Sequence, residues 1–238
     1  MTTVSSAILD PLLAVNPAGP RITYYDDATG ERIELSTATL ANWAAKTANL
    51  LRDELGATPG SRVAVLLPAH WQTVAVLFGI WWIGGEVVLG GASDESGCDI
   101  ALCTTDRLGE ADAAGAQEVA VLSLDPFGKP VPDLPVGVTD YATAVRVHGD
   151  QIVPERTAGP ALDGRSVDDV LAAARASASS QGLTATDRIM SSAGWNNAED
   201  LTDHLLAVYA AGASLVQVAN PDPGLAERRR QTEKLTRG

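Results

Sequence analysis

Residues 157–166, TAGPALDGRS, bring hydroxyls, glycines and a cation together just ahead of a helical pattern. Loops that grip phosphate use such groups. Glycines let the backbone aim its N–H groups at an anion, and a following helix N-terminus adds partial positive charge. The stretch is poor in what that chemistry needs. Pro160 donates no amide, Ala158, Ala161 and Leu162 contribute only apolar groups, and Asp163 brings a negative charge. It reads either as a degraded anion site or as an ordinary turn.

A second candidate is Trp195, Asn196 and Asn197, in AGWNNAED at 193–200. This run follows a strand pattern and precedes a helix pattern. Ligands of doubly wound sheets usually sit at that kind of crevice. The plainer reading has the asparagines capping the helix and the indole packing. The histidines are isolated: His204 has Asp200 and Asp203 beside it on a helix, and His70 reads as a cap opening a buried helix. Cys98 and Cys103, five apart in a strand pattern, are expected on opposite faces as buried thiols in a reducing cytoplasm. Neither a metal-ligand spacing, a G-x-S-x-G elbow nor a G-x-G-x-x-G fingerprint occurs.

The chain has 238 residues, 45% of them hydrophobic, and a net charge of −13. That acidity argues against nucleic acid or an anionic membrane surface as partner. The cations Arg228, Arg229 and Arg230 read as a solvated helix face. The most apolar run, 74–85, is too short to span a bilayer and reads as a helix buried on all sides. The elements that must position the candidates alternate. They are a hairpin at 22–35, a helix capped by Ser36 or Thr37 and stopped by Gly56, and a buried strand at 61–68. Short strands at 86–89, 99–104 and 118–124 follow. Then come a Pro/Gly-rich loop at 125–137, a short helix after Asp140, a helix capped by Ser166, and two further strands and helices. This order predicts one α/β domain, a doubly wound, mostly parallel sheet with helices on both faces, over residues 1–238, with an N-terminal arm at 1–20.

PGSRVAVLLPAHWQTVAVLFGIWWIGGEVVLG at 59–90 resembles a segment of adenylate-forming enzymes, the acyl-CoA synthetases and AMP-dependent ligases. GLTATDRIMSSAGW at 182–195 resembles the text after that family's phosphate loop. The resemblance implies the first half of the family's large N-terminal domain, with an acyl-CoA synthetase-like fold. The family's loop reads T-S-G-[ST]-T-G-x-P-K-G. By order, Thr157 and Gly159 match it, Arg165 takes the lysine slot and Ser166 the final glycine. The remaining donors are replaced. The family's YGxTE and TGD signatures are absent from these 238 residues, and the linker GGASDESG is shorter than its family counterpart. In the family, the position of Trp195–Asn197 helps line an acyl or aryl pocket.

The expectation is therefore a non-catalytic homologue, cytoplasmic and dimeric, whose scaffold serves binding, assembly or regulation. It needs no catalytic residue, no metal and no cofactor. Two alternatives stay open. One is a divergent acid–AMP ligase completed by another chain, using ATP and magnesium. The other is a binder of a small carboxylate or aromatic ligand at Trp195–Asn197.

Overall fold

The structure, a computed structural model, describes residues 2–90, 97–156 and 158–238. Thr157 and most of the short linker, residues 91–96, lie outside the described residues.

The N-terminal arm contains a helix, α1 (Val4–Val15). The Thr3 hydroxyl accepts from the Ser6 amide at its start, and Val4, Ile8, Leu9 and Leu12 are buried. The hairpin β1 (Pro20–Asp26) and β2 (Glu31–Ser36) turns at Gly30, whose φ of +77° suits glycine. Helix α2 (Thr37–Asp53) starts on the Ser36 cap, and Gly56 follows in the left-handed region. Strand β3 (Arg62–Leu66) leads to α3 (Trp71–Trp82), every residue of which is buried.

After β4 (Glu86–Leu89) come β5 (Ile100–Cys103), α4 (Leu108–Ala113), β6 (Glu118–Val121), a three-residue β7 (Val138–Asp140) and α5 (Tyr141–Ala144). The last third holds α6 (Val167–Ser180), β8 (Arg188–Ser191), α7 (Ala198–Leu201), α8 (Ala207–Ala210), β9 (Ser214–Ala219) and α9 (Ala226–Thr232). A π-helical stretch, Thr202–Leu206, joins α7 to α8 and carries His204.

The parallel α/β layering expected from the sequence is present, but the strands form two sheets. One has the order β2-β1-β9-β8 and the other β4-β3-β5-β6-β7. All pairings are parallel except the β1–β2 hairpin. Helix α3 touches β1 of the first sheet and β4 of the second, so it lies between them. That accounts for its all-round burial and its unbroken apolar run. Alternate residues of β3 enter separate clusters, Val63 and Val65 in the main core and Ala64 and Leu66 in a smaller one. A strand covered on both faces cannot show polar alternation.

Two expectations change. Cys98 precedes β5 rather than lying on it, so it joins the same buried cluster as Cys103; neither is in a disulfide. Arg229 is not on a solvated face. It is buried, paired with Asp27, and stacked 4.4 Å over the Tyr25 ring. A buried guanidinium needs such a partner, because an unpaired charge away from water costs several kcal/mol.

Candidate functional site

The stretch 158–166 packs against β4. Ala158, Gly159 and Pro160 are exposed, and nothing surrounds the space where a Gly159 side chain would project. Ala161 and Leu162 then turn inward and are buried. Leu162 pairs in parallel with Val87, extending the sheet by one residue: the Val87 amide donates to Ala161 O at 2.9 Å, and the Asp163 amide to Val87 O at 3.0 Å. From below, the Trp81 indole donates to the same Ala161 oxygen at 2.7 Å.

Leu162 and Arg165 face each other as an antiparallel bridge around Asp163 and Gly164, at φ +43° and +77°. Positive φ at both central residues is what a type I′ turn demands, and Asp-Gly is a favoured pair for it. The turn uses its own donors. The amides of Ala161 and Leu162 donate to Arg165 O, and that of Arg165 to Leu162 O. The Gly164 amide donates to a Glu86 carboxylate oxygen at 2.7 Å. In return the Asp163 carboxylate accepts from the Leu89 amide at 3.0 Å. Partial burial holds the Asp163 carboxyl above its ordinary value. The Leu89 amide works against this, and the neighbouring Glu86 charge reinforces it. Ser166 caps α6 through a bond from the Asp169 amide and donates to the Asp169 carboxylate at 2.6 Å.

Asn197 caps α7: its side-chain oxygen accepts from the Glu199 and Asp200 amides, both at 2.9 Å. Trp195 is buried in the main core, with its indole N–H unpartnered among the described residues. Asn196 is exposed next to it. The three form one short turn at the end of β8 but do not line the crevice described next.

That crevice, about 810 Å³, opens where the carboxyl ends of the two sheets meet. On one side stand Tyr24, Asp26 and Glu31 of the hairpin; on the other stand Pro68, His70 and Leu124. His70 is the cap of α3, as the sequence suggested: Nδ1 accepts from the Gln72 amide at 3.2 Å. The neutral ring therefore carries its proton on Nε2, which lies 3.8 Å from Glu31 Oε1, while the Tyr24 ring meets its face edge-on at 4.3 Å. Glu31 was not singled out by sequence; only folding the hairpin over α3 brings it to His70. Burial pushes the imidazole below its ordinary value, and the Glu31 carboxylate opposes that shift.

The sign is therefore fixed. The unfolded chain protonates His70 near pH 6.5, whereas the folded chain resists protonation until lower pH. Stability from this site is complete above pH 6.5 and is lost as pH falls through the folded value, by at most about 1.4 kcal/mol per unit. Compared with His70→Asn, which keeps a capping acceptor, the protein should lose stability more steeply below pH 6.5 in pH-stepped urea unfolding. Parallel curves for the two proteins would contradict this. Among the described residues, no group of three or more His, Cys, Asp or Glu could hold a metal ion.

Comparison with known proteins places this geometry. The AMP-binding enzyme family matches residues 14–92. An acyl-CoA synthetase of Brucella canis superposes with a TM-score of 0.79 at 18% identity, over 99% of this chain and 46% of that one. The N-terminal domain of FACL13 from Mycobacterium tuberculosis superposes at 0.70 and 18% identity, over 99% of this chain and 62% of that domain. The chain spans about half the length of the Brucella canis enzyme. The fold is thus that of part of the N-terminal domain of acyl-CoA synthetases. A protein of Mycobacterium tuberculosis (strain ATCC 25618 / H37Rv) named "TIGR03089 family protein" is 68% identical over 241 residues, 99% of this chain and 98% of that protein. The chain belongs to the TIGR03089 family.

Proposed function

We propose that this protein is a non-catalytic relative of the AMP-dependent ligases, keeping their scaffold for binding or assembly rather than for adenylation. One observation carries the reading. Each backbone amide from Ala161 to Arg165 is already bonded within the chain, one of them to a carboxylate. A phosphate cradle works by presenting unspent N–H groups and positive charge. Here Glu86 and Asp163 bring negative charge to the turn instead. ATP, AMP and magnesium do not fit such a turn. Of the residues matched to the family loop, Ser166 serves as a helix cap and Gly159 is solvent-facing.

The test is direct. Incubated with ATP, magnesium and a panel of carboxylic acids, the protein should release no pyrophosphate above a protein-free blank. Sustained release with any acid would overturn the proposal. The rival reading, a divergent ligase completed by another chain, requires nucleotide affinity, against which the spent amides count. Residues 161–163 cover β4, and the C-terminal Thr236 and Arg237 bond to β8. No described helix is long and apolar enough to cross a membrane.

A further inference from the structure

A second groove, about 800 Å³, lies at the amino ends of β1, β8 and β9. One wall is α1, whose Ile8, Pro11, Leu12 and Val15 fall on one helical face and run about 10 Å along it; Pro11 and Val15 are exposed, and Ile8 and Leu12 reach the groove from the edge of the main core. Leu171 of α6 and Ala210 of α8 stand opposite. Val15, at the open end, is 85% exposed. Its floor holds Arg21, only 5% exposed. Nε donates to Thr37 Oγ1 at 3.2 Å, and Nη1 donates to Gly212 O at 2.9 Å and to Ala213 O. Nη2 makes no hydrogen bond among the described residues, and no carboxylate pairs with this guanidinium. Burial pulls its pKa below the ordinary arginine value, and only Tyr209 opposes the shift.

The two carboxylates that line the groove are committed elsewhere. Glu233 binds Arg32, Arg188 and the Tyr25 hydroxyl. Asp187 accepts from the Thr184 amide, the Thr236 hydroxyl and Arg237. Arg175 and Lys234, at the rim, have no carboxylate partner among the described residues. In a chain of net charge −13, one groove with an apolar wall thus gathers three cations that have no carboxylate partner among the described residues. The two carbonyls on Arg21 and the face of the Tyr209 ring, 5.9 Å from the guanidinium, supply only partial negative charge, which leaves a buried positive charge with no carboxylate partner among the described residues.

We propose that this groove binds an amphipathic carboxylate, its head on Arg21 beneath the rim cations and its tail along the apolar face of α1. The site needs no ATP. It gives the binding role proposed above a ligand class, yet measured ATP turnover would leave it standing. Calorimetric titration of the full chain with octanoate, octanol and octyl phosphate tests it.

Octanoate is expected to bind at least ten-fold tighter than octanol, because the alcohol leaves the guanidinium unpaired. Arg21→Met should lose octanoate binding. That variant also forfeits the tether to residues 212–213, so Arg175→Glu and Val15→Glu, both on exposed positions, serve as fold-preserving checks. Each should weaken octanoate several-fold with an unchanged melting temperature. Equal affinity for octanoate and octanol, or unchanged binding in both surface variants, would overturn the proposal. So would octyl phosphate binding ten-fold tighter than octanoate, since the head group would then not be a carboxylate.

Discussion

Replacing Trp81 with alanine should lower the free energy of unfolding by roughly 3–5 kcal/mol, the range for removing a large buried aromatic side chain. Trp81 is 1% exposed and lies between the sheets on α3, edge-on to Phe78 at 5.6 Å. Little can collapse into the space it vacates, because every residue of α3 is already buried. Its indole also ties the core to the turn through Ala161 O. Trp81→Phe separates the two roles. It keeps most of the apolar area and deletes the donor, and Ala161 O still accepts from Val87. That variant should lose about 1 kcal/mol beyond the change in area, the net worth of one hydrogen bond. Both variants should speed amide exchange at residues 161–165. Denaturant unfolding measures the energies. A loss below 1 kcal/mol for Trp81→Ala would mean that the indole does not anchor the turn.

The second large effect belongs to Glu86. Glu86→Ala should cost about 3 kcal/mol, toward the lower end for removing one member of a buried ion pair. The carboxylate is 5% exposed, pairs with Arg62 at 3.3 Å and accepts from the Gly164 amide. Truncation leaves that amide without its acceptor and removes one of several partners of Arg62, whose side chain is 23% accessible and so recovers some solvation. Glu86→Gln keeps an oxygen for Gly164 and should cost less than the alanine change. The order Ala worse than Gln, read from urea midpoints, is the check. Equal losses would mean that charge alone matters and that the Gly164 bond contributes nothing.

Sequence carried the local elements because their signals are local. Ser36, His70 and Ser166 sit where a helix begins and offer an acceptor, and Gly56 sits where one ends. The division into two sheets was not legible. It depends on β1 pairing with β9, as Ile22 does with Leu215, and no periodicity encodes a contact between segments so far apart. Strand β7 escaped notice because three residues at a sheet edge carry no pattern. The Asp-Gly pair at 163–164 was a usable hairpin signal. The stretch's likeness in order to a phosphate loop masked it, and Ser166, set against that loop's final glycine, is the cap of α6. Trp195 and Asn197 lie together after β8, as their spacing suggested, with the cap on Asn197 and the indole in the core. Glu31 beside His70 and Arg21 on the floor of its groove are products of tertiary packing alone.

The turn at 161–165 has spent its donors on the chain itself. Titrating the protein with ATP and magnesium in a calorimeter tests it most directly. The account predicts no saturable heat at millimolar nucleotide. A saturable isotherm that disappears when Arg165 or Ser166 is replaced would contradict it.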